Sequence, residues 1–142
     1  MTIHQISIFL ENKYGKLTQV LGLLAEANIR IIAATVADTS EFGIMRMIVD
    51  APQTAYQKLK DSNVSVNLTD VLAITTSSDA GAFAETIAHF TNAGLSIEYM
   101  YCISINGKSV LIIRTNNREG AREVIRRQNL GYLTEDDLAK LI

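Results

Sequence analysis

The stretch Asn12-Lys13-Tyr14-Gly15-Lys16-Leu17 places an amide, a glycine and two lysines where an alternating segment gives way to an apolar stripe of helical spacing. An asparagine amide both donates and accepts hydrogen bonds. Glycine lets another molecule approach the main chain closely. A helix start leaves N–H groups unpaired and carries partial positive charge. Together these features suit a bound carboxylate, with Asn12 holding its amino or carboxylate group. A second stretch, Asp79-Ala80-Gly81, stands at the same kind of junction. Tyr99 and Tyr101 offer aromatic surface, and Arg46 and Arg114 offer counter-charge.

Other chemistry lacks its residues. Neither a Ser–His–Asp set nor paired carboxylates at helical spacing point to catalysis, so no catalytic residue is assigned. The single cysteine, Cys102, excludes an internal disulfide and a CxxC site. His4 and His89 lie far apart, so no metal site and no cofactor are expected. The net charge is −2 and no basic tract runs along the chain, which argues against nucleic acid. No apolar run approaches the roughly 20 residues that span a bilayer. The segment MTIHQISIFLENK lacks a signal peptide's apolar stretch, so a cytoplasmic protein is expected.

The chain repeats itself at an offset of 66 residues, which carries Gly15 to Gly81. The same offset takes Ile8 to Ile74, Leu24 to Phe90, Ala27 to Ala93, Ile31 to Ile97, Met45 to Leu111 and Leu59 to Ile125, without a gap. Ile6, Ile8 and Leu10 alternate as a half-buried strand does. Leu17, Val20, Leu21 and Leu24 form a helical stripe. Asn28 and Gly94 suit left-handed C-caps. Asn106-Gly107 between two β-rich runs signals a two-residue hairpin. It sets Ile105 opposite Lys108, Ile103 opposite Val110, Tyr101 opposite Ile112 and Tyr99 opposite Arg114. By the repeat, Thr35 faces Arg46. Asp50 is expected to cap a helix beginning near Pro52. Short final strands are expected near Val64 to Leu68 and Leu130 to Leu133. Thr134 then caps a last helix with an acidic first turn.

This order is βαββαβ, twice. The expected fold is α+β, two ferredoxin-like modules of antiparallel sheet with helices on one face, spanning residues 1–69 and 70–142. A module of that size is marginal alone, which favours close packing of the pair. Both sheet faces carry apolar residues. The face away from the helices needs a cover, most simply from a second copy of the chain, so a homodimer is expected; the chain's own loops or last helix are the alternative. Cys102 is expected as a small core residue.

Asn12 to Leu17 followed by Leu24-Ala25-Glu26-Ala27-Asn28-Ile29-Arg30-Ile31 resembles the ACT domain. So do Asp79-Ala80-Gly81-Ala82-Phe83 and Ala93-Gly94-Leu95-Ser96-Ile97. ACT domains are small βαββαβ modules that bind amino acids and regulate metabolic enzymes. ADTSEFGIMRMIVD and IEYMY are similar to stretches of stand-alone tandem ACT proteins. The resemblance implies a non-catalytic regulatory protein that binds an amino acid or related carboxylate at a module interface, and a regulated enzyme as partner. It implies ligand contacts from Asn12, Lys13, Tyr14, Gly15, Lys16, Leu17, Asp79, Ala80 and Gly81, with Tyr99 and Tyr101 as the aromatic wall. The family's usual proline before the glycine is Tyr14 or Ala80 here. The histidine of serine-binding members is Leu10, so serine is not implied as the ligand.

Plainer readings stand beside these. Gly15 and Gly81 serve a tight strand–helix turn equally well, and Asn12 and Asp79 serve as loop or cap residues. Tyr99 and Tyr101 fit a dimer interface, and Arg114 beside Tyr99 fits a cross-strand cation–π pair. The rival function is a scaffold or subunit module whose pockets are vestigial.

Overall fold

Residues Ile6, Ile8 and Leu10 turn to one side of β1 (Thr2–Glu11) and are all but excluded from solvent, as their alternation requires. The structure, a computed structural model, describes residues 1–11, 15–38 and 42–140. The chain divides into two compact units, one of His4–Thr69 with Leu138–Lys140, the other of Met1–Ile3 with Asp70–Asp137.

In the first unit, β2 (Ile31–Asp38), β3 (Phe42–Val49) and β1 lie side by side in that order, antiparallel, with β4 (Val66–Thr76) next to β1. Ser7 Oγ and Thr69 Oγ1 meet at 2.8 Å, and the Phe9 N–H donates to Ser65 O at 3.0 Å. Helices α1 (Lys16–Glu26) and α2 (Pro52–Asp61) close one face. Val20, Leu24, Ala55 and Leu59 pack there on Ile6, Ile8, Met45 and Met47. Burying each such large side chain is worth about 1.5–3 kcal/mol.

The second unit repeats the plan. Its strand order is β7 (Gly131–Leu133), β4, β6 (Lys108–Thr115) and β5 (Ile97–Ile105). Helices α3 (Ala82–Asn92) and α4 (Arg118–Arg127) cover Leu72, Ile74, Leu111 and Ile113. The cores correspond at the same offset: Ile6 to Leu72, Ile8 to Ile74, Leu24 to Phe90, Met47 to Ile113, Ala55 to Ala121. The fold is thus two α+β βαββαβ modules with antiparallel strands and helices on one face.

The helix ends correspond too. Asn28 (φ 56°) and Gly94 (φ 78°) are left-handed, as are Asn63 and Asn129. The next N–H in each case donates back to a helical carbonyl: Ile29 to Leu24, Val64 to Leu59, Leu95 to Phe90 and Leu130 to Ile125, all at 3.0 Å. The hairpin register is the expected one, with Tyr99 opposite Arg114, Tyr101 opposite Ile112 and Ile105 opposite Lys108. Thr35 faces Arg46. A short helix, α5 (Glu135–Ala139), follows. Thr134 caps it: Asp137 N–H donates to Thr134 Oγ1 at 3.2 Å, and Thr134 N–H donates to Asp137 Oδ2 at 2.9 Å.

Three expectations are corrected. Asp50 does not cap α2; the N-cap is Ala51, with no side-chain cap bond. Asp50 Oδ1 instead accepts the Arg30 N–H at 3.0 Å, holding the approach to β2. Asn116 does the same for Ser96 N–H at 3.2 Å, and Asn117 caps α4 through the Gly120 N–H. The final strand of the first module is not short: it runs on without a break into the first strand of the second, as β4. Cys102 is exposed, not core. The helices close over β4 and β6, and the outer strand keeps Met100 and Cys102 in solvent. Val110 and Ile112, on the face away from the helices, are 2% and 0% exposed. Of the turn expected over Thr39 to Phe42 in the first hairpin, residues 39–41 lie outside the described residues, and Phe42 begins β3.

Candidate ligand-binding site

Gly15 is the N-cap of α1 at φ 85°, and Gly81 is the N-cap of α3 at φ 85°. That left-handed conformation strains any residue with a Cβ. Among the described residues nothing lies within 4 Å of a Cβ built at either glycine, so the backbone conformation is what demands glycine there. Among the described residues, no side chain caps the first turn of α1, and that turn holds no acid. Its first residue is Lys16, a cation at the positive end of the helix, where an anion would be favoured.

Beside this turn lies a cavity of about 460 Å³. Its walls are the end of β1, the first two turns of α1, the start of β3 and the connection at 62–65. Lys16 and Gln19 contribute polar groups; Glu11 lies across the ladder from Phe42. Phe9 and Phe42 line the cavity with their rings 4.8 Å apart and tilted by 39°. They keep 46% and 41% of their surface in solvent, an unusual exposure for two touching rings.

The second unit has hollows at the corresponding place. One of about 330 Å³ is lined by Thr75, Thr76, Ser77, Ser78, Asp79 and the hairpin residues Gly107 and Lys108. Another of about 360 Å³ shares Thr75 and Lys108 and adds Ile105, Val110 and Tyr132. Gly131 passes so close to Thr75 that an added Cβ would stand 2.3 Å from Thr75 Oγ1.

The expected site residues are not all gathered. Asn12, Lys13 and Tyr14 lie outside the described residues. Lys16 lines the first cavity, whereas Leu17 is 41% exposed and does not. Asp79 lines the smaller second-unit hollow and accepts the Ser77 hydroxyl at 3.2 Å, while Ala80 and Gly81 continue past it into α3. Tyr99 and Tyr101 are half-buried on β5 and line none of these three cavities. Arg114 is engaged elsewhere: it donates to Asp70 O at 2.7 Å and pairs with Glu98 at 3.5 Å. Arg46 lies between Ser7 and Thr35 in the ladder. Of this cavity's described lining the sequence reading named only Lys16; Phe9, Gln19 and Phe42 are among the residues it missed. Their signal is faint: Phe9 breaks the alternation of β1 by setting a large apolar group opposite to Ile8 and Leu10.

Two βαββαβ modules, each opening its first helix on a left-handed glycine beside a hollow, define a duplicated ferredoxin-like module. The chain belongs to the ACT domain pair family, whose match runs over residues 1–142. It is similar to a Bacteroides thetaiotaomicron protein of known crystal structure, at 40% identity over 99% of this chain and 98% of that one, with a TM-score of 0.94. The regulatory subunit of aspartate kinase from Thermus thermophilus, in its ligand-free form, shares the fold at 19% identity, covering 91% and 95%, with a TM-score of 0.65. The corresponding Thermus flavus subunit does so at 17% identity, covering 89% and 94%, with a TM-score of 0.59. No curated protein matches the chain. No helix among the described residues is long and apolar enough to cross a membrane.

Proposed function

We propose that the protein is a non-catalytic regulatory module that binds an amino acid or a related small carboxylate in the first-unit cavity. One observation carries this reading: a cavity of about 460 Å³ opens beside an α1 start that offers main-chain N–H groups, a lysine and a left-handed glycine. That volume falls in the range of small-molecule sites. Lys16 and the helix start receive the carboxylate. Binding there stabilises whichever arrangement of the module completes the site, and through it a partner enzyme senses the ligand. A second copy of the chain and a cytoplasmic setting belong to the same proposal, as do two modules of residues 1–69 and 70–142.

The rival, a scaffold working only through protein contacts, draws on the exposed apolar side chains of Leu17, Leu21, Ile31 and Val36. Thermal unfolding against the twenty amino acids and their deamino acids separates the two. A ligand at about 100 times its Kd stabilises the native state by roughly 2.7 kcal/mol. A shift that Lys16→Gln weakens supports sensing; the absence of a shift from every compound refutes it.

A further inference from the structure

We infer that the first-unit cavity selects a carboxylate bearing an aromatic ring, held on the Phe9–Phe42 pair, and that the second unit has no such site. The inference rests on the reading of this cavity as a ligand site and adds what the ligand's side chain must be. Phe9 and Phe42 lie at 4.8 Å and 39°, lining the cavity, and each keeps more than 40% of its surface in solvent. Two touching rings that still expose this much area offer an edge and a face to a third. Aromatic groups favour offset or tilted packing at such spacings. Lys16 and Gln19 line the same cavity, adding a cation and an amide for a carboxylate. An apolar wall with a few polar groups set opposite is how small-molecule pockets orient an amphipathic ligand.

The repeat supplies an internal comparison. At the 66-residue offset Phe9 becomes Thr75 and Phe42 becomes Lys108. The apolar floor changes with them: Leu10 and Val20, both buried, become Thr76 and Thr86, whose hydroxyls meet at 3.5 Å. Most other core positions keep their apolar character across the same offset, Val49, which becomes Thr115, being an exception away from the hollow. A ring entering the smaller second-unit hollow would meet Thr75, Thr76, Ser77 and Asp79, and one entering its neighbour would meet the single ring of Tyr132 instead of two phenyl faces.

The test is calorimetric titration of the full-length protein with L-phenylalanine, 3-phenylpropionate, L-alanine and propionate. Phenylalanine and 3-phenylpropionate carry the same ring with and without the amino group, and alanine and propionate lack it. The expected result is one ring-bearing molecule bound per chain, at least tenfold tighter than its ring-less analogue. Phe9→Ala and Phe42→Ala, both at exposed positions, each weaken ring binding at least tenfold. Phe9→Leu weakens it less, and Thr75→Ala leaves it unchanged. Alanine or propionate binding as tightly as the ring-bearing pair overturns the inference while leaving the proposed function standing. So do two equivalent sites per chain, or ring binding indifferent to both phenylalanines. Binding by none of the four, together with no thermal shift from any amino acid, removes both.

Discussion

Replacing Gly15 and Gly22 separately by alanine makes the same chemical change seven residues apart, with opposite expected signs. Among the described residues neither site has an atom within 4 Å of the new methyl group, so crowding by them contributes nothing. At Gly15 the cost is the left-handed backbone, φ 85°. A Cβ there costs roughly 1–2 kcal/mol. Reduced freedom of the unfolded chain returns about 0.4–1 kcal/mol. The net expectation is a loss of about 1 kcal/mol. Gly22 sits inside α1, where glycine is worse than alanine by about 0.5–1 kcal/mol, so Gly22→Ala should stabilise. With a urea slope of about 1–3 kcal/mol per molar, the two unfolding midpoints should separate by about 1 M, one on each side of the parent. Gly15→Asn should recover part of the loss, since asparagine tolerates this conformation. Midpoints moving in the same direction, or Gly15→Asn faring no better than Gly15→Ala, would refute the reasoning that backbone geometry demands glycine at the mouth of α1.

Three further outcomes follow from packing and hydrogen bonds. Phe90, 0% exposed in the second core, should cost about 3–5 kcal/mol when cut to alanine, read as a lowered urea midpoint. Asp50→Ala and Asn116→Ala each release a backbone N–H at the entry to an outer strand, Arg30 and Ser96 respectively. Each should cost about 1 kcal/mol, with faster amide exchange at those two residues, and an unchanged exchange rate would deny the contact its role. Gly131→Ala drives a methyl group into Thr75 Oγ1 and should cost about 1–3 kcal/mol. Adding Thr75→Ala should return most of that, a coupling that a double-mutant cycle measures.

Much of the fold is legible because the repeat states it twice. A 66-residue offset that matches apolar with apolar fixes the core faces of both modules at once. The Asn106-Gly107 turn fixes a register that every later pair in the hairpin obeys until the irregularity between Ile97 and Tyr99. What resisted reading were choices between equivalent local partners. Asp50 precedes a helix and looks like its cap, yet the same carboxylate reaches a backbone N–H twenty residues earlier. Burial of Cys102 depended on how far two helices extend over an outer strand, which the strand's own residues do not encode. The site was half legible. Glycine and lysine at a strand–helix junction are local signals; Lys16 lines the cavity, and Gly15 sets the start of its helix. Phe9 and Phe42 meet only because β1 and β3 are paired, so no spacing along the chain announces them. Tyr99 and Tyr101, prominent in sequence, sit on an outer strand and line none of the three cavities.

The unbroken run of β4 imposes a parity rule on how the chain can change length. Val66 and Leu68 pack against the first core, and Leu72 and Ile74 belong to the second, all four at even positions of one strand. A single residue inserted or deleted between Leu68 and Leu72 would break this even-numbered run within the strand. A two-residue change would keep it. Continuity of β4 thus ties the junction to a period of two, which an ordinary linker between duplicated modules would lack.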